Sequence, residues 1–279
     1  MKITALDTGK LKLDGGAMFG VVPKTLWNKS YPADENNLVA LCMRCLLIET
    51  DNRKILIDTG MGDKMDPKKA GYYFLKDIIH LPELLAQKNI KTEEITDVIL
   101  THLHFDHCGG AVKFNANQKP VPVFPKAKYY VGKAQWENAV KPNKREKASY
   151  FSENFMPLME HNQLQLIDKN FTLIPGIDIR IYNGHTEGQL VTFIKQGGKT
   201  LVYVADLVPS ATNIPLSWIA AYDMNPLTAM DEKSVFYDEA IKNNYYLVFE
   251  HDIYVECCTL KNTEKGVRAD QLYKVSEIV

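Results

Sequence analysis

The chain has 279 residues, 46% of them hydrophobic and 24% charged, enough for one large two-sheet domain or two small ones. Its 33 basic and 34 acidic residues nearly cancel, which leaves no electrostatic footprint for nucleic acid. No apolar run reaches the roughly 18 residues of a membrane span, and charge interrupts the first seven residues too early for a secretory leader.

In chain order, residues 15–23 read as an apolar loop too rich in glycine for a strand. Residues 38–48 read as a strand that carries Cys42 and Cys45. Their odd offset puts them on opposite faces, so they are not a paired C-x-x-C. Five cysteines without framework spacing point to a reducing cytoplasm. Residues 54–57 form a short strand that ends in Asp58, before Thr59 and Gly60. A plain turn-forming role and a role in orienting a neighbouring histidine are equally open for that aspartate.

The β-branched run 95–101 reads as a buried strand, and the most informative segment of the chain comes directly after it. His102, His104, Asp106 and His107 stand in six residues, so three of the seven histidines share one tight loop at a strand end. Four ligand-type side chains so placed point to a metal site rather than to a core. Adjacent Cys108 reads as a small packing residue. Residues 125–158 are rich in aromatics. Within them the charged run 141–147 reads as solvated surface between two helices.

Three later strands end the same way. Residues 177–182 lead to His185 between two glycines, 201–205 to Asp206, and 246–250 to His251. A lone strand-end Asp is usually a turn former and a lone His is more often structural. Their shared position at strand ends, where open sheets place functional groups, makes the joint reading much the stronger. The candidate ligands span residues 102 to 251, so any cut between them would split the site. Residues 1–279 therefore read as a single domain.

With H-x-H-x-D-H, a glycine-flanked His, a strand-end Asp and a late His in that order, the chain resembles the metallo-β-lactamase-fold hydrolases. The resemblance runs from Asp58-Thr59-Gly60 to about residue 252. It implies an α/β fold, a four-layer αββα sandwich. It also implies two divalent metal ions, held by His102, His104 and His185 on one side and by Asp106, His107 and His251 on the other. Asp206 would bridge them opposite a bridging hydroxide, with Asp106 and Asp206 as the catalytic carboxylates and Asp58 behind the ligands. Imidazole and carboxylate donors suit Zn²⁺ best, with Mn²⁺, Fe²⁺ and Co²⁺ as further options. Such a cationic cluster favours an oxyanion developing on a carbonyl or phosphoryl group, and it needs no serine or cysteine nucleophile.

The common zinc β-lactamases carry Cys where this chain has Asp206, which argues against antibiotic hydrolysis. The motif with Phe105 most resembles the acyl-homoserine lactonases and the methyl-parathion-type hydrolases. The implied reaction is hydrolysis of a small neutral lactone or ester, with a phosphotriester as the alternative. Leu103 disfavours a glyoxalase-II-like thioesterase, whose motif has a third histidine in the run. A non-catalytic metal scaffold ranks last, because structural zinc sites are closed by four protein ligands. Lactonases of this type often place a Tyr three residues after the bridging Asp, where this chain has Pro209. Phe19, Phe105, Trp218 and Tyr222 are the candidate substrate-pocket residues, with Tyr222 a weak substitute for that missing hydroxyl. The expected partner is a small molecule, not nucleic acid or a membrane. The oligomeric state is open, a homodimer among the options.

Overall fold

The computed structural model describes residues 1–278. They divide into two compact units, neither continuous in sequence. The first consists of Met1–Lys10, Met43–Lys169 and Gly188–Leu190, and the second of Leu11–Cys42, Asn170–Glu187 and the residues from Val191 onward.

The first unit is built on a six-stranded sheet in the order Lys2–Asp14, Leu38–Glu49, Lys54–Ile57, Asp97–Ile99, Lys128–Gly132, Leu164–Ile167. From Lys54–Ile57 onward the neighbours are parallel, with Ile57 opposite Ile99, Ile99 opposite Tyr130 and Tyr129 opposite Leu164. The β-branched and aromatic content of these strands suits burial on both faces, the usual state of a parallel sheet. Leu56, Val98, Leu100, Tyr129 and Val131 form one core with Phe124, Phe155 and Leu158. Parallel strands deliver their carboxyl ends to one edge, so Asp58 and the segment Thr101–His107 emerge side by side. Asp58 donates its amide to Ile99 O (2.9 Å) with φ at +57°.

The strand expected over 95–101 is regular only across Asp97–Ile99. Beyond it, Thr101 leaves the ladder: its amide donates to Asp58 Oδ1 (2.7 Å) and its carbonyl accepts from Leu190 N (2.7 Å). The close approach of Gly132 to Gly188 seals the same edge. A Cβ on Gly132 would collide with Gly188 O.

The second unit holds a seven-stranded sheet in the order Gly266–Tyr273, Cys257–Thr263, Tyr246–Val248, Lys199–Tyr203, Gln189–Gln196, Ile177–Tyr182, Phe171–Ile174. Lys199–Tyr203 and Tyr246–Val248 are parallel, with Tyr203 opposite Val248, so the residues after both strands leave at one edge. Asp206 does not follow its strand directly. Ala205, at φ +46°, turns the chain into a 3₁₀ turn over Ala205–Leu207. A non-glycine residue in that region is strained, and such strain persists where the surroundings fix the geometry. The helix Pro226–Lys242 packs its buried face, Ala229, Lys233, Phe236, Tyr237 and Ala240, on this unit. Phe236 meets Phe193 edge-on (6.2 Å), and Arg180 lies over the same Phe193 ring (3.9 Å) while making a bidentate pair with Glu239 (2.6 and 2.9 Å).

The segment read as a glycine-rich loop opens with a short helix, Gly15–Phe19. Asp14 caps it by accepting from Ala17 N (3.0 Å), and the bare α-carbon of Gly15 admits the Trp27 ring. Among the described residues no helix is long and apolar enough to cross a membrane.

Lys233 is buried in the helix face, donating to Asn213 O (2.7 Å) and Trp218 O (3.4 Å). Burial pushes its ammonium down from 10.5 to about 7, and the charge of Asp223 opposes that shift. Between those values the unfolded chain holds one more proton than the folded one, so this group makes stability rise with pH across that window. Against Lys233→Met, the wild type is expected to gain up to about tenfold in folding constant per pH unit from about 7 to 10. Denaturation midpoints for both proteins across that range check it, and parallel curves would show that Lys233 stays charged.

Candidate metal centre

In the first unit, His102, His104, Asp106 and His107 are all buried. His104 precedes a single helical turn, Phe105–Cys108, and that turn brings Asp106 and His107 back toward His102. The His102 ring lies 4.4 Å from that of His104 and 3.9 Å from that of His107. Ligand atoms of His102 and His104, of His102 and His107, and of Asp106 and His107 lie within 4.8 Å of one another.

The far side of each ring fixes its tautomer. Thr101 Oγ1 donates its one proton to Asp58 Oδ2 (2.6 Å), so at 3.1 Å from His102 Nδ1 it accepts from that nitrogen. Asp58 Oδ2 also lies 3.2 Å from His107 Nδ1 and accepts from it. Both rings therefore carry their lone pair on Nε2. His104 is reversed, with Nε2 donating to the carboxylate of Glu146 (3.1 Å), which leaves Nδ1 as its lone-pair nitrogen.

The second unit brings together the other three candidates. His185 Nδ1 donates to Asp223 Oδ1 (2.8 Å), and His251 Nδ1 to the carbonyl of Cys42 (2.9 Å). Their Nε2 atoms then face Asp206, His185 at 3.2 Å from Oδ2 and His251 at 3.1 Å from Oδ1. A lone pair pointed at a carboxylate oxygen at this distance is repulsive unless a cation or a proton lies with them. Nitrogen and oxygen donors set in this way, each imidazole tied behind to an acceptor, fit a divalent transition metal.

Two supporting residues are hidden in the sequence. Glu146 lies in the run 141–147 read as solvated surface, and that reading is corrected for this one residue, which is buried to 3% against His104. Its neighbours Lys144, Arg145 and Lys147 are exposed, and no local periodicity marks the one side chain that turns inward. Asp223 belongs to no motif, and its partner His185 is 38 residues away in sequence.

Of the aromatics, Phe105 packs on Tyr73 (4.7 Å) and Phe151 (5.6 Å) in the first unit. Phe19 is buried to 1% in the second, stacked on Trp27 and edge-on to Trp218. Tyr222 is 39% exposed. Cys108 is fully buried, its thiol pushed up to about 12 by desolvation, which suits the packing role read for it.

The chain is similar to known metal-dependent hydrolases. The family model described as the metallo-beta-lactamase superfamily matches residues 44–242. A solved probable metal-dependent hydrolase from Staphylococcus aureus is 31% identical with a TM-score of 0.89, covering 98% of this chain and 96% of its own. The dizinc quorum-quenching lactonase AidC, solved with a product bound, superposes at a TM-score of 0.79 with 22% identity, over 96% of this chain and 93% of its own. An N-acyl homoserine lactonase of Bacillus thuringiensis is 25% identical over 179 residues, 60% of this chain and 64% of its own. The chain spans about two thirds of the length of the curated relatives it matches. The α/β fold expected from the sequence is the one these comparisons bear out.

Asp58 holds Thr101 and His107 at once, so Asp58→Asn replaces an acceptor of both donors with an amide that can satisfy only some of them. Retention of transition metal is expected to weaken about ten- to a hundredfold. Competition with a chromophoric chelator measures it, and unchanged affinity would show that Asp58 serves only the turn.

Proposed function

The chain belongs to the metallo-beta-lactamase superfamily, and on that premise we propose that it is a metal-dependent hydrolase with a two-ion centre, acting on small neutral lactones or esters. The observation that carries this reading is Asp206. Its two oxygens each face a different imidazole whose other nitrogen is already engaged. A carboxylate set in this way is suited to bridge two cations. In the proposed assignment His102, His104 and His185 hold one ion, Asp106, His107 and His251 the other, and Asp206 both. The chain is read as one hydrolase domain.

Divalent ions of zinc type supply Lewis acidity and lower the pKa of water from about 15.7 toward about 7. The protein's part is to orient and to move protons. Asp206, with both oxygens engaged, is assigned an orienting role, and Asp106 is assigned the proton, which it would take from the attacking water and deliver to the leaving oxygen. With Cys108 sealed and its thiol raised, that residue is unsuited to act as nucleophile. The aromatic strip of Tyr73, Phe105 and Phe151 supports an apolar acyl tail, and the lactonase relatives support a lactone ring. The balanced charge of the chain supports a neutral small molecule rather than a polyanion. Five buried cysteines, none of them in a disulfide, support a reducing cytoplasm as its compartment.

Elemental analysis of reconstituted protein is expected to give two ions per chain, with Asp206→Ala losing occupancy at both positions. One ion in the fully loaded wild type would overturn the two-ion centre.

The substrate class is read from a panel of acyl-homoserine lactones of rising tail length, an aryl ester, a dialkyl aryl phosphotriester, a glutathione thioester and a penicillin. Lactones or esters are expected first and the phosphotriester second. Each added methylene is worth about 0.8 kcal/mol, roughly fourfold, while the tail is covered. Preference for the thioester, or no dependence on tail length, would refute the substrate assignment and leave the metal chemistry standing.

A further inference from the structure

We infer that Glu146 is a positioning residue for His104, holding it as the Nε2–H tautomer with Nδ1 turned to the metal and so tying the loop over residues 141–150 to metal occupancy. The inference rests on the metal-centre reading above. Asp58, Asp223 and the Cys42 carbonyl all engage Nδ1 of their histidines, whereas Glu146 engages Nε2 of His104. His104 must therefore present its ring by the opposite edge, and a residue from outside the metal-ligand motif sets that choice.

The surroundings of Glu146 fix its position. Its Oε1 accepts from His104 Nε2 (3.1 Å) and from the Tyr150 hydroxyl (2.5 Å). Its Oε2 accepts from the side-chain amides of Asn138 (2.7 Å) and Asn143 (3.2 Å). Four polar groups thus converge on the two oxygens and hold the carboxyl group in one place against His104. Fixed in this way, it keeps the imidazole in one orientation, as acceptors behind metal-binding histidines do. Asn143 Oδ1 in turn accepts from the amides of Arg145 and Glu146 (both 2.9 Å) and so shapes the loop that delivers the carboxylate. The backbone beside the ligand is gripped as well, since Leu103 N donates to Gln135 Oε1 (3.2 Å) from the helix Lys133–Val140. Loss of metal should then loosen a loop whose Lys144, Arg145 and Lys147 are exposed to trypsin.

Long-range ¹H–¹⁵N correlation spectra of apo and zinc-loaded wild type test the tautomer directly. His104 is expected to carry its proton on Nε2 in both, and an Nδ1-protonated ring would overturn the inference. In chelator competition Glu146→Gln is expected to release zinc about ten- to a hundredfold more readily than wild type. Zinc should slow tryptic cleavage after residues 144, 145 and 147 in wild type and much less in the variant. Equal zinc affinity and equal protection in a folded E146Q would also overturn it, and if E146Q fails to fold the wild-type spectra decide alone. A wild type that takes up no transition metal would sink the metal-centre reading and this inference together. A wild type that binds two ions with His104 protonated on Nδ1 would sink this inference only.

Discussion

The constraint on which the rest of the structure depends is that five imidazoles and two carboxylates must sit in nearly dry surroundings without losing a hydrogen bond. A neutral imidazole has one donor and one acceptor, and burying either unsatisfied costs on the order of 1–3 kcal/mol. The chain meets this by fixing the proton of each ring first. Thr101, Glu146, Asp58, Asp223 and the Cys42 carbonyl each take one ring N–H, and every open lone pair is thereby assigned. What is left over, lone pairs and carboxylate oxygens directed at one another, is unfavourable by itself and becomes favourable with cations. A metal bound there would in this sense solve a packing problem as well as supply chemistry.

Sheet topology makes that arrangement possible. Lys54–Ile57 and Asp97–Ile99 are parallel neighbours in one unit, and Lys199–Tyr203 and Tyr246–Val248 in the other. Each pair sends two polar segments out at one edge while its own backbone is satisfied by the ladder. At both edges the first turn is strained, Asp58 at φ +57° and Ala205 at φ +46°. Asp58 offsets the strain locally through three hydrogen bonds from its neighbours. Ala205 has no polar side chain to do so, and its geometry is set by full burial beneath the turn that carries Asp206.

The sequence makes the candidate ligands stand out because their spacing is local and their residue types are rare. His102 to His107 is one short segment, and His185, Asp206 and His251 each follow a recognisable apolar strand. Beyond Asp58 the supporting groups are far less legible, since Glu146 meets His104 and Asp223 meets His185 only across 42 and 38 residues of chain. A glutamate inside a run of lysines reads as solvated, because charge patterning averages over the run and the fold selects one residue from it. The helix at Gly15–Phe19 is obscured for a similar reason. Glycine and proline argue against regular structure, and only the Asp14 cap and the space needed by Trp27 reverse the balance.

The acceptors behind the histidines are not equivalent, and the difference carries chemical meaning. His104, His107 and His185 are backed by carboxylates, whereas His102 has a threonine hydroxyl and His251 a peptide carbonyl. An anionic acceptor makes the opposite nitrogen a stronger donor to a cation, and a neutral one does so less. The carboxylates also sit in different settings. Asp58 is locked in the strand edge, Glu146 is carried by a surface loop, and Asp223 lies in the field of the buried amine of Lys233. The carboxylates behind the imidazoles are therefore carried by different parts of the fold. A change in the loop at Glu146 reaches His104 through its far nitrogen, and a change at Asp223 reaches His185 in the same way.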